Sequence, residues 1–99
     1  MSMQTTIEQK LLAGLMPSYM QVENESHMHN VPDNAETHFK LVLVSEKFSG
    51  LRPVQRHQQV YHLLSQELQA GVHALAIHTF NAEEWLQRQD VPASPECLG

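Results

Sequence analysis

Ninety-nine residues with 41% hydrophobic content suffice for one domain and leave no room for a second. No apolar run approaches the ~20 residues that span a bilayer. The single cysteine, Cys97, excludes an internal disulfide and fits a reducing cytoplasm. A net charge of −5 and a pI of about 5.7 exclude the uniformly basic surface usual in nucleic-acid binders.

The N-terminus has no basic cluster ahead of an apolar segment, so it does not read as a signal peptide. Thr5 and Glu8 have the spacing of a capping box. Ile7, Leu11, Leu12, Leu15 and Met16 then recur at helical spacing, and Pro17 ends that helix. From Tyr19 to Glu25, Met20 and Val22 alternate with Gln21, Glu23 and Glu25, the pattern of a strand with one wet face. Residues 26–36 are rich in turn formers, and Pro32 interrupts any ladder, so a loop is expected.

His38 to Phe48 is the strongest strand signal in the chain. Phe39, Leu41 and Leu43 fall on one face, Val42 and Val44 on the other, which suits a central strand. A turn at Ser49–Arg52 leads to Pro53, acceptable in the first turn of a helix. Val54, His57, Val60, Tyr61, Leu64 and Leu68 give that second helix an apolar stripe, and Gly71 is placed to end it. The stretch Val72–Phe80 alternates again, with Leu75, Ile77 and Thr79 opposite Ala74, Ala76 and His78. Asn81 and Glu84 make a second capping box, with Phe80 and Trp85 at the hydrophobic-staple positions. The expected domain is 1–89, and residues 90–99 are expected to be a flexible tail. The order predicts an α+β fold, α-β-β-α-β-α, with a three-stranded mixed sheet and helices one and two on one face.

Two groups of side chains carry chemistry. Lys40, Lys47, Arg52 and Arg56 cluster centrally against a single acid, Glu46. The seven histidines stand at 27, 29, 38, 57, 62, 73 and 78. On spacing alone, His73 is a packed, a hydrogen-bonding or a metal-ligating imidazole at a helix–strand junction. Five residues separate it from His78, which puts the two on opposite strand faces. His78 therefore reads as a packing or surface residue. His57 belongs with the helical stripe and His62 with the surface. No four-ligand zinc set and no Ser-His-Asp constellation is visible, so nothing argues for an enzyme.

Glu25-Ser26-His27-Met28-His29-Asn30-Val31-Pro32, Glu36-Thr37-His38-Phe39, Phe48-Ser49-Gly50, Gln55-Arg56-His57 and Val72-His73-Ala74-Leu75, in that order, resemble the BolA family. The resemblance runs from the first helix to Trp85. It implies a fold like the class II KH domain and a non-enzymatic, cytoplasmic protein, with two functional expectations. The first is partnership with a monothiol glutaredoxin, sharing a [2Fe-2S] cluster in iron homeostasis or cluster transfer. The family's cluster-ligand histidine falls on His73, and its second ligand on His29, with His27 and His38 as near alternatives. Glutaredoxin and glutathione would supply the thiolates, so no cluster is expected in the isolated chain. The second expectation is a DNA-binding transcriptional regulator of stress response and cell morphology. Its surface would be the turn and the start of helix two: Lys47, Gly50, Arg52 and Arg56. Gly50-Leu51-Arg52-Pro53 lacks the second glycine of a true KH Gly-x-x-Gly loop. Alone, the chain is expected to be a monomer or weak homodimer, with no membrane partner.

Overall fold

The computed structural model describes residues 2–26 and 35–88. The elements follow the expected order: α1 Met3–Leu15, β1 Tyr19–Asn24, β2 His38–Val44, a 3-10 turn Glu46–Phe48, α2 Pro53–Leu63, α3 Ser65–Gln69, β3 Ala74–Phe80 and α4 Ala82–Gln87. The sheet order is β1-β2-β3; β1 is antiparallel to β2, and β3 is parallel to it. Chain connectivity dictates this. β1 and β2 are consecutive and pair antiparallel, whereas β3 returns through α2 and α3.

Strand register sorts the side chains into two faces. Val22, Leu41 and Ile77 form one row, and Asn24, Phe39 and Leu75 another. Phe39, Leu41 and Leu43 lie in one buried core with Ile7, Leu11 and Leu15 of α1, Phe48, Val60 of α2, and Leu64 and Val72. The helices come close: a Cβ added to Gly14 would stand 2.6 Å from Leu63 Cδ2. The opposite face carries the rows Glu23–Lys40–Ala76, Gln21–Val42–His78 and Tyr19–Val44–Phe80. Trp85 folds back over the last row. It stacks on Tyr19 at 4.9 Å and meets Phe80 edge-on at 5.2 Å. Val44, the row's middle residue, is only 1% exposed. The Phe80–Trp85 staple forms as expected, and Tyr19 is a third member that local spacing did not reveal.

Three local expectations need correction. First, α1 begins earlier than the Thr5–Glu8 box predicts, because Ser2 is its N-cap and accepts from Thr5 N–H at 3.1 Å. The Glu36 carboxylate also accepts from Met3 and Gln4 N–H, at 3.0 and 3.2 Å. A residue 33 positions away thus satisfies donors that the first helical turn leaves open.

Second, β2 ends at Val44, where Ser45 opens the 3-10 turn and accepts from Lys47 N–H. Third, the second helix is broken at Leu64, whose ψ opens to 19°. The ladder still carries through, since Leu64 N–H donates to Val60 and Leu68 N–H to Leu64, each at 3.0 Å. Its buried ridge also differs from the apolar stripe. Val54 and Tyr61 are exposed, while Arg56, Val60, Leu64 and Glu67 are buried. Two charged residues occupy that ridge because each finds an opposite charge on a neighbouring helix. Glu67 pairs with Lys10 at 2.7 Å and Arg56 with Glu84 at 2.7 Å.

Candidate functional site

Lys40 apart, the two groups of candidate residues stand at opposite ends of the sheet. Parallel pairing puts the starts of β2 and β3 together, with His38 opposite Ala74, and their ends together, with Val44 opposite Phe80. Six residue steps along β2 separate the two ends by about 20 Å.

The histidine end is held by main chain and hydroxyls. The Thr37 carbonyl accepts from His73 N–H at 2.7 Å and Ala74 N–H at 3.2 Å, fixing the start of β3 against β2. Ser26 Oγ accepts from Thr37 N–H at 2.9 Å and His38 N–H at 3.1 Å. Glu25 N–H donates to the His38 carbonyl, and Asn24 Nδ2 to the Ala35 carbonyl. This fixed frame leaves the His73 side chain exposed. Its ring stands 6.1 Å from that of half-buried His38, nearly edge-on at 66°. Thr37 Oγ1 engages His38 Nδ1 at 2.8 Å, which orients that imidazole. The pair can offer two nitrogen donors to one ion after side-chain rotation, fewer than a metal needs. No group of three or more potential ligands occurs among the described residues. His27 and His29 lie outside the described residues. Thr37, Ser26 and Glu36 frame this end, although spacing gave them no role.

The four basic residues separate: Lys40 stands in β2 two residues from His38, and the other three stand at the turn end. Lys40 sits on the open sheet face, its side chain 12% exposed and 4.0 Å from Glu23. Lys47, on the 3-10 turn, and Arg52, extended ahead of Pro53, are both exposed. Gly50 between them has φ +80°, a conformation that favours glycine. Arg56 turns inward. It is 7% exposed, donates from Nε to the Leu51 carbonyl at 3.0 Å, and reaches Glu84 with both Nη atoms, at 2.7 and 3.4 Å. Its guanidinium also lies over the Phe48 ring at 5.8 Å. Arg56 therefore does not present its charge to solvent, Lys40 is nearly as covered, and Lys47 and Arg52 are the two that remain outside.

Glu84 does three things at once. It completes the expected capping box, accepting from Asn81 N–H at 2.8 Å while its own N–H donates to Asn81 Oδ1. It also pairs with Arg56. The Arg56 hydrogen bond, then the Asn81 N–H, hold its carboxyl below the ordinary range. Glu46 ties the turn to α4 a second time, accepting from Ala82 N–H at 2.8 Å and Ser49 Oγ at 3.2 Å. A cavity of about 220 Å³ lies beside it, between Leu15, Met16, Lys47 and Ala82. The capping pattern had revealed Glu84, but no sequence signal joins it to Arg56, 28 residues away.

His78 shares its row with Val42 and Gln21, and its buried Nε2 has no hydrogen-bond partner. Burial, then the charges of Lys40 and His57, push its pKa down. No described helix is long and apolar enough to cross a membrane.

Comparison with known proteins agrees with this architecture. Residues 11–84 match the family described as BolA-like protein. The chain is 53% identical over 97 residues to the DNA-binding transcriptional regulator BolA of Vibrio cholerae, covering 97% of this chain and 92% of that protein. It is 48% identical over 100 residues to the protein of the same description from Escherichia coli, covering 100% of this chain and 95% of that one. The solution structure of BolA1 from Mus musculus superposes with a TM-score of 0.84 at 40% identity, covering 100% of this chain and 80% of that one. With the family match, these identities and this common fold, the chain belongs to the BolA family.

Proposed function

We propose that this non-enzymatic member of the family is a DNA-binding regulator and that its turn end is the nucleic-acid surface. The observation that carries this reading is the pair of exposed cations, Lys47 and Arg52, flanking Gly50 on a turn braced from behind. The similarity to relatives described as DNA-binding transcriptional regulators supports it. An acidic total charge does not oppose it, because charges beyond the Debye length of about 8 Å are largely screened at physiological ionic strength. Gly50 lets the backbone come close to a phosphate, and Lys47 and Arg52 neutralise it. The missing second glycine makes this a charged turn and not a KH-type clamp.

The test is fluorescence anisotropy of a labelled 25-base-pair duplex across a salt series. Two phosphate contacts give a log–log slope of about −1.8, and Lys47→Ala or Arg52→Ala each reduces its magnitude by about 0.9. Binding insensitive to salt and to both substitutions rejects the turn as the surface.

A second reading is favoured by a separate observation, the 6.1 Å approach of the His38 and His73 rings. Here His73, with His29, His27 or His38 as the second ligand, would hold a [2Fe-2S] cluster shared with a monothiol glutaredoxin and glutathione. Two imidazoles on one iron and thiolates on the other is established cluster chemistry. This domain has no cysteine but Cys97, outside the described residues, so glutaredoxin and glutathione would supply the thiolates. The bound cluster would supply electron-transfer or transfer chemistry; the chain's own part is to orient imidazoles through Thr37. Anaerobic mixing with glutaredoxin, glutathione, iron and sulfide should alter the visible circular dichroism relative to glutaredoxin alone. His73→Ala should abolish the change, and identical wild-type and mutant spectra would exclude His73 as a ligand.

A further inference from the structure

We propose that Arg56 and Glu84 are positioning residues that hold the basic turn in its binding shape, and that neither touches the nucleic acid; this rests on the DNA-binding reading above. Arg56 connects three things. Its Nε donates to the Leu51 carbonyl inside the turn, its Nη atoms grip Glu84 on α4, and its guanidinium carbon lies over the Phe48 ring at 5.8 Å. The Leu51 carbonyl belongs to the residue between Gly50 and Arg52, so the bond fixes the backbone that aims Arg52. Leu51 N–H donates to Phe48, and Arg52 N–H to Gln55 Oε1, which closes the turn from its other side. At its far end Glu84 is anchored in the α4 capping box, and Trp85 clamps α4 to the sheet through Tyr19 and Phe80. Rigidity therefore passes from the sheet through α4 and Arg56 to the turn. Without the brace, Gly50 and its neighbours gain conformational freedom that must be surrendered on binding, which weakens affinity.

The two roles open to Arg56 differ in sign. Were it a phosphate contact, releasing it from Glu84 would leave binding unchanged or tighter, since Glu84→Gln also deletes a nearby negative charge. As a brace, it loses the charge and one acceptor of its anchor in the same variant, which leaves at most a weaker neutral hydrogen bond, and binding weakens. The experiment uses the full chain, the labelled 25-base-pair duplex and a salt series, with Glu84→Gln, Arg56→Met and Arg52→Ala. Hydrogen exchange at the Leu51 and Arg52 amides is followed in parallel. The expected result is binding about threefold to tenfold weaker in Glu84→Gln and Arg56→Met, with an unchanged salt slope. Their Leu51 and Arg52 amides exchange about threefold or more faster, while sheet amides do not change. Arg52→Ala, by contrast, lowers the slope by about 0.9. Equal or tighter binding by Glu84→Gln, a lower slope in Arg56→Met, or unaltered turn exchange in both variants overturns the brace. If the wild type shows no salt-dependent binding, the DNA reading fails. The brace is then decided by exchange alone, faster turn amides supporting it and unchanged ones refuting it. Glu84 is exposed enough for its glutamine variant to fold, so loss of structure in Arg56→Met does not remove the test.

Discussion

The two ends of the sheet solve the same problem in opposite ways. At the histidine end, the Thr37 carbonyl and the Ser26 hydroxyl hold the backbone, and an imidazole is left facing solvent. At the turn end, a charged side chain is turned inward to hold the backbone, and its neighbours Lys47 and Arg52 remain outside. Residue type alone is therefore a poor guide to role. Arg56, grouped from sequence with Lys47 and Arg52, is the one committed to structure.

The sharpest disruption comes from the core that both ends share. Phe48, fully buried under the turn, and Phe39, 2% exposed near the histidines, should each cost about 3–5 kcal/mol on truncation to alanine. Denaturant melts read by circular dichroism would measure this. A loss felt only at the nearer end would argue against one cooperative domain.

Next come the two frames. Ser26→Ala strands two backbone donors, Thr37 N–H and His38 N–H, at a residue 2% exposed, and should cost about 1–3 kcal/mol. Arg56→Met should cost a similar ~1–3 kcal/mol through its lost charged hydrogen bonds. With the frames about 20 Å apart, the double variant should equal the sum within about 0.5 kcal/mol. A larger coupling energy in that cycle would mean that the ends are not independent.

The expected pH responses also differ. Glu84 has a depressed folded pKa, held down first by Arg56. Its contribution is present above the ordinary value of 4.5 and is lost as pH falls through the folded value. Glu84→Gln should therefore flatten the acid limb of stability. His78 is also depressed, but as a base, by burial and then Lys40 and His57. Between 6.5 and its lower folded value the unfolded chain binds the proton first, so stability falls with falling pH across that window and levels off below it. His78→Asn should remove this slope, and melts that keep it would assign the titration to another group. The smallest expected effect is at exposed His73, where alanine should change stability by no more than about 0.5 kcal/mol.

Periodicity made the sheet legible. Alternation in Val72–Phe80 and the two-faced run starting at His38 are local patterns, and β3 and β2 form there, although β2 stops at Val44 and not at Phe48. The Phe80–Trp85 staple and the Asn81–Glu84 box were legible for the same reason. What stayed hidden is long-range. Glu36 capping α1, Tyr19 under Trp85 and Arg56 on Glu84 each join residues far apart in sequence. The stripe on α2 misled because an apolar count skips Arg56 and Glu67, which are buried through ion pairs. Of the candidate ligands, His38 and His73 proved to be neighbours because parallel pairing joins the starts of β2 and β3, while His27 and His29 lie outside the described residues.

The central claim is that nucleic acid meets the turn end and leaves the histidine end clear. Titrating isotope-labelled protein with a 25-base-pair duplex, and following backbone amide shifts by NMR, tests it directly. Perturbations are expected to concentrate from Lys47 to Arg52, with Thr37, His38 and His73 unmoved. Perturbations concentrated at Thr37, His38 and His73, with the turn silent, would contradict it.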